Sequence, residues 1–343
     1  MNAKQKRLFA AFSAVLSCLS LLTGCADSIN PPQDSAAQET TAAVTAAPEE
    51  SVEPAEQTAI TDPFQYTAGT PEVSGEREDI KNVTFFRDGI KICGKLCLPD
   101  GEGPFPTVVL CSGQTALYSY YTDEAEKFAQ NGYAALIFDF IGSGARSSSG
   151  GEMTEYSMLT EAKDLNVILD SLSQLPKVDS SNVFLWGHSL GGLVATYIGC
   201  RRPDDIQGMM LVEPSYRYPD EVREVVAAEA NGDFAQIPDT VPLTDMNTVV
   251  GKIFFTDMYG VDIYDKMPDC GKDVLIFLGT EPGCLGANYH SYFERAQQTF
   301  PSAEIAEISG ADHFFQGTHG EQMMEQCLAF LKAHQTDADN VSA

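Results

Sequence analysis

The chain has 343 residues, 43% of them hydrophobic and 20% charged, enough apolar material for one large domain or two small ones. Its formal net charge is -28. With no excess of Lys and Arg to neutralise phosphates, the balance argues against nucleic acid as a partner and against a basic face held to anionic lipid.

Lys4, Lys6 and Arg7 open the chain, followed by a mostly apolar stretch from Leu8 to Leu22. That stretch is too short and too rich in small residues for a membrane span. It ends in Leu22-Thr23-Gly24-Cys25, and the arrangement resembles a bacterial lipoprotein signal. The resemblance implies that residues 1–24 are a signal peptide cleaved before Cys25 and that the Cys25 thiol is lipidated. The protein is then expected at the extracellular face of the bacterial cell membrane, touching the membrane through its lipid anchor only. Residues 25–74 are dominated by Ala, Thr, Glu, Pro, Ser and Gln. Such a segment buries too little apolar surface to offset its ordering entropy, so it is expected to be a disordered acidic linker.

From residue 75 the pattern changes. Val83–Phe86 and Ile90–Leu98 read as a hairpin turning at Asp88-Gly89. Strands are expected at Thr107–Cys111, Tyr133–Phe138, Val183–Trp186, Gly208–Val212, Asp273–Leu278 and Glu304–Ile308. Helices are expected at Asp123–Asn131, closed by Gly132, at Glu155–Leu175, stopped by Pro176, from Leu190, and at Glu321–His334. This alternation predicts an α/β fold, a mostly parallel twisted sheet with helices on both faces, over residues 75–336. Right-handed crossovers then bring the strand C-terminal ends to one edge, where ligands bind. Residues 214–271 break the alternation and are rich in aromatics and acids. They are read as a small cap inserted over that edge, because a structureless loop of this length is rare in a compact domain. Residues 337–343 are expected to be a disordered tail.

Beyond Cys18 and Cys25, seven cysteines remain: Cys93, Cys97, Cys111, Cys200, Cys270, Cys284 and Cys327. Most lie in apolar runs, where Cys acts as a small hydrophobe. No CxxC pairs with zinc spacing occur, so no structural metal is expected. A Cys270–Cys284 bridge is conceivable.

Gly187-His188-Ser189-Leu190-Gly191-Gly192 follows the strand Val183–Trp186, which places G-x-S-x-G in a strand–turn–helix setting. A sharp turn there projects Ser189 as a nucleophile, and the helix start favours developing negative charge. Of the five histidines, His313 lies between the last strand and the last helix, where the order Ser…acid…His puts the base. These residues resemble the α/β-hydrolase superfamily over about residues 80–334. More narrowly, the chain is similar to bacterial feruloyl/cinnamoyl esterases. The features carrying that likeness are the hairpin Gly89–Pro99, the segment Asp139–Ser147, the elbow and the cap stretch Pro242–Tyr264.

The resemblance implies hydrolysis of carboxylic esters of small or aromatic acids through an acyl-enzyme on Ser189. A small-molecule ester is the expected partner and no cofactor is needed. Oxyanion donors are expected at the backbone N–H of Leu190 and of Gln114. Gln114 follows Ser112-Gly113, where the family often has His-Gly, and the change leaves the loop's support open. The acid is also open. The family's Asp position, after the strand ending at Leu278, holds Pro282, which leaves Glu281 one residue earlier. The alternative is Glu213, at the end of the preceding strand. A peptidase or lipase-like hydrolase of the same fold, and a non-catalytic binding protein on a hydrolase scaffold, are the competing readings.

Overall fold

The computed structural model describes residues 60–336, apart from Ala145 and 244–247. The expected signal peptide, Cys25, the linker up to residue 59 and the tail at 337–343 lie outside the described residues.

The domain opens with β1 (Glu72–Ser74), β2 (Ile80–Arg87) and β3 (Ile90–Cys97). The β2–β3 turn is Asp88-Gly89, at φ 53° and 81°, the left-handed pair that a tight two-residue hairpin demands. There follow β4 (Phe105–Cys111), α1 (Thr122–Gln130), β5 (Ala134–Phe138), α2 (Met158–Ser171), β6 (Val178–His188), α3 (Leu190–Gly199) and β7 (Gly208–Val212). Next come α4 (Tyr218–Ala230), β8 (Thr240–Leu243), β9 (Thr248–Gly251) and α5 (Lys252–Gly260). The chain closes with β10 (Asp273–Gly279), α6 (Leu285–Asn288), α7 (His290–Thr299), β11 (Ala303–Ile308) and α8 (Thr318–His334).

Nine strands form one sheet in the order β1-β2-β3-β5-β4-β6-β7-β10-β11. From β5 to β11 every neighbouring pair is parallel, and β1, β2 and β3 make an antiparallel edge. The central strands are apolar along their length because both faces are covered: every residue of β5 and of β7 is buried. Leu165 and Ile168 of α2 and Leu193 and Ile198 of α3 join the core on one face. Phe128 of α1 and Met324 and Leu331 of α8 join it on the other. Helix α2 starts later than its periodicity predicts, because Ser157 and Thr160 form a reciprocal capping box that sets the first turn.

The cap forms between β7 and β10. Strands β8 and β9 pair into a separate two-stranded sheet. Phe254, Phe255 and Met258 of α5 are fully buried, and Phe234 stands edge-on to Tyr259 at 5.0 Å. Much of the cap's aromatic content is therefore its own packing.

The expected linker ends too late. Residues 60–74 are folded onto the domain by polar contacts that their composition conceals. The Thr61 N–H donates to Asp257 Oδ1 (2.8 Å), Asn166 Nδ2 donates to the Pro63 carbonyl (2.9 Å), and β1 pairs with β2. All seven described cysteines are free thiols and six are buried. The conceivable Cys270–Cys284 bridge does not form: Cys284 Sγ instead donates to the Gly279 carbonyl at 3.0 Å.

Candidate active site

Strand β6 ends at His188 and α3 begins at Leu190, which leaves Ser189 as the hinge at φ 56°, ψ -119°. Space explains the glycines around it. A Cβ on Gly187 would lie 2.6 Å from the Gly191 carbonyl oxygen, and one on Gly191 would lie 2.2 Å from that of Cys111. The strained residue is held by its own backbone. Its N–H donates to Val212 (2.9 Å), and its carbonyl accepts from Gly192, Leu193 and Ser215.

Val212 is the last residue of β7, so the next residue, Glu213, emerges beside the elbow. It too has a left-handed backbone, at φ 42°. Its carboxylate is fully buried and surrounded by donors. Oε1 accepts from the Gly279 and Gly286 N–H groups (2.9 and 3.0 Å), and Oε2 accepts from the Leu285 N–H (3.0 Å). His313 Nδ1 lies 2.6 Å from Oε2. Burial pushes this carboxyl up, but the bond and charge of His313 and the Gly279 and Gly286 N–H groups outweigh it. Glu213 is therefore held below the usual Glu range, ionised and acceptor-only. A carboxylate only accepts, so His313 Nδ1 carries the hydrogen of this bond, and in the neutral imidazole Nε2 is the nitrogen with the lone pair. That Nε2 is buried with no hydrogen-bond partner among the described residues.

Glu281, expected first as the acid, is not brought to His313. It sits in the turn after β10, exposed, and its backbone serves the turn: N–H to Ala311 (3.0 Å), carbonyl to the Cys284 N–H (3.1 Å). No described hydrogen bond joins its carboxylate to His313. Glu213 prevails because β7 lies between β6 and β10 in the sheet, so its end faces the elbow and the β10–α6 turn at once. Asp312 is spent on its own turn, accepting the Phe314 N–H at 3.0 Å.

The loop after β4 passes against the nucleophile, where a Cβ on Gly113 would lie 3.3 Å from Ser189 Cβ. Among the described residues, neither the Gln114 nor the Leu190 N–H has a backbone acceptor. The loop is supported by a residue that the sequence reading passed over. The Gly113 N–H donates to Tyr121 Oη (3.1 Å), and Tyr121 Oη lies 2.9 Å from His188 Nδ1. His188 Nε2 is 2.8 Å from the His313 carbonyl. A carbonyl only accepts, so Nε2 carries the hydrogen and Nδ1 receives the Tyr121 hydroxyl proton. Burial, helped by His313, pushes His188 down to about 3, which keeps it neutral. His188 thus ties the Gly113 loop to the His313 loop. Asp139 holds its loop by accepting from the Tyr118 N–H (2.6 Å) and Ser147 Oγ (2.8 Å).

Three further residues in the stretch after Glu213 bear on the site without a sequence signal. Ser215 Oγ is 3.3 Å from Ser189 Oγ. The Tyr218 hydroxyl donates to Gln114 Oε1 at 3.0 Å. Arg217, between them, is 1% exposed. Ser189 and His313 are themselves only 2% and 1% exposed. No group of three or more metal-ligating side chains occurs among the described residues.

A parallel sheet carrying a strained serine on a strand–helix elbow, with a buried Glu–His pair beside it, defines an α/β hydrolase. The family described as serine aminopeptidase, S33, matches residues 102–282, more than half of the chain, and the chain belongs to it. The thiohydrolase aneE of Aspergillus aculeatus is 29% identical over 209 residues, 56% of this chain and 64% of that protein. The esterase FrsA of Escherichia coli O157:H7 is 36% identical over 108 residues, 31% of this chain and 25% of that protein. The chain thus spans under two thirds of either relative's length. Among solved structures, Est1E of Butyrivibrio proteoclasticus with ferulic acid bound superposes with a TM-score of 0.63 at 21% identity, covering 72% of this chain and 96% of that one. The α/β hydrolase GrgF of Penicillium sp. sh18 gives 0.61 at 18%, covering 75% and 99%. These likenesses establish the fold, and the family match makes the chain a member of a family of α/β hydrolases.

Proposed function

We propose that the chain is a serine esterase that hydrolyses carboxylic esters through an acyl-enzyme on Ser189. The observation carrying this reading is the 2.6 Å contact from His313 Nδ1 to a saturated Glu213 carboxylate, which leaves Nε2 as a base. Ser189 Oγ attacks the ester carbonyl while His313 Nε2 takes its proton, and Glu213 stabilises the resulting imidazolium. The tetrahedral oxyanion is met by the Leu190 and Gln114 N–H groups and the α3 N-terminus. His313 then protonates the departing alkoxide, and water, activated by the same nitrogen, frees the acid and restores Ser189.

Feruloyl, cinnamoyl or other small acyl esters are the proposed substrates, a reading supported by the cap and by the likeness to Est1E. The test is turnover of p-nitrophenyl acetate with fluorophosphonate labelling. Ser189→Ala is expected to abolish both without changing the circular dichroism spectrum; turnover surviving in that variant would refute the assignment. The family's description makes amide hydrolysis the second reading. Alanine p-nitroanilide in the same assay separates the two, since an esterase leaves it uncut.

The likeness of residues 1–25 to a lipoprotein signal supports anchoring of the enzyme through Cys25 at the extracellular face of the membrane. Cys25→Ser is expected to move activity from the membrane fraction to the soluble fraction of expressing bacteria. Activity that stays with the membrane would exclude this anchor.

A further inference from the structure

Arg217 opens the cap two residues beyond Ser215, whose hydroxyl faces Ser189 Oγ at 3.3 Å. Two residues of chain reach at most about 7 Å, so the arginine backbone stands close to the nucleophile. The next residue, Tyr218, holds Gln114 through its hydroxyl. On the other side stands Tyr289, just after α6, the helix whose N–H groups bind the Glu213 carboxylate. Arg217 therefore sits between two residues that reach the site, and its guanidinium lies against Tyr289 beside the helix that holds Glu213.

Its guanidinium is incompletely paired. Nη1 meets Glu221 Oε1 one turn along α4. Nε and Nη2 have no hydrogen-bond partner among the described residues, although the side chain is 1% exposed. These two nitrogens form the edge of a guanidinium that grips a carboxylate with two parallel hydrogen bonds. The rings of Tyr289 and Tyr218 flank the group at 4.5 and 5.1 Å and keep its surroundings dry. Dry, unpaired charged donors are costly, and a bound carboxylate removes that cost. Glu221 already balances the charge, so the open edge selects by geometry rather than by excess positive charge.

We propose that Arg217 binds a carboxylate on the substrate, so that the preferred esters carry a free carboxylate a few bonds from the scissile carbonyl, as half-esters of dicarboxylic acids do. This rests on the ester hydrolysis proposed above. Two esters of equal acyl length test it on the full chain: mono-p-nitrophenyl glutarate, which ends in a carboxylate, and p-nitrophenyl valerate, which ends in a methyl. The glutarate is expected to lead by about tenfold or more in kcat/KM, and Arg217→Met to bring the ratio to one or below. Arg217→Lys keeps the charge without the fork and is expected to retain only part of the preference. Independently of turnover, free glutarate is expected to raise the Tm of the Ser189→Ala chain, and no longer to do so once Arg217→Met is added. A wild-type ratio of one or less without glutarate protection overturns the proposal, as does a preference that survives Arg217→Met. Should Arg217→Met not fold, the wild-type ratio, the glutarate shift and Arg217→Lys decide. Protection by glutarate with neither ester turned over would uphold the anion site and overturn ester hydrolysis.

Discussion

Glu213 accepts three backbone N–H groups and one imidazole, and it has no freedom to leave. Glycine is required at Gly286 because a Cβ there would lie 2.5 Å from the Gly279 carbonyl oxygen and 3.0 Å from Glu213 Oε1. Glu213→Gln keeps the shape, but its amide nitrogen either faces N–H donors or forces His313 into the wrong tautomer. A fall in kcat on the order of a thousandfold is expected. Glu281→Gln should leave kcat and KM within about twofold, since an exposed side chain away from special features contributes little. Steady-state kinetics on both variants check the pair, and a larger loss from Glu281→Gln would reverse the assignment. At this scale, Ser189 and His313 were legible in the sequence because their chemistry is written into local spacing. The acid was not. Glu281 and Glu213 both follow strands, and a carboxylate works here through donors drawn from residues 279, 285 and 286, far from position 213 in the chain.

Three of the loops that make up the site are the one after β4, the elbow after β6 and the one after β11. They converge because parallel strands share one C-terminal edge. His188 and Tyr121 join them through three consecutive hydrogen bonds. Tyr121 is 9% exposed and packs edge-on to Trp186 at 5.5 Å, so removal of its hydroxyl alone should leave the packing intact. Tyr121→Phe frees the Gly113 loop that carries the Gln114 donor. A fall of about tenfold in kcat with KM unchanged is expected, the signature of lost transition-state stabilisation. A change confined to KM, or to Tm, would show that the chain of bonds only supports the fold. This relay also accounts for Ser112 standing where the resembling esterases often carry His: support for the loop comes from Tyr121. No local pattern announces a tyrosine that acts through a backbone N–H eight residues away.

At the scale of the whole molecule, the buried neutral His188 makes stability depend on pH. Its folded value, about 3, lies below the ordinary 6.5, so the unfolded chain binds the proton more readily. The stability it supports is complete above about pH 6.5 and is lost as pH falls towards 3. Glu213, held below its ordinary range, acts in the same direction at lower pH. Asp164 acts oppositely: burial, resisted by its ion pair with Arg87, raises it to about 6, so what it contributes is lost as pH rises through that value. Thermal unfolding of wild type and His188→Gln across pH 3.5–7 isolates the histidine. Wild type is expected to lose more Tm than the variant as pH falls, and parallel curves would show that His188 is not held neutral. Hydropathy period and turn chemistry by themselves determined the parallel sheet, its covering helices and the elbow, because those depend on residues within a few positions of one another. The folding of residues 60–74 onto the domain, the choice of Glu213 over Glu281, the Tyr121–His188 relay and the open edge of Arg217 were decided only by the tertiary structure. Each depends on donors and acceptors that meet across the fold, and a side chain's hydrogen-bond partner is not encoded by its neighbours in the chain.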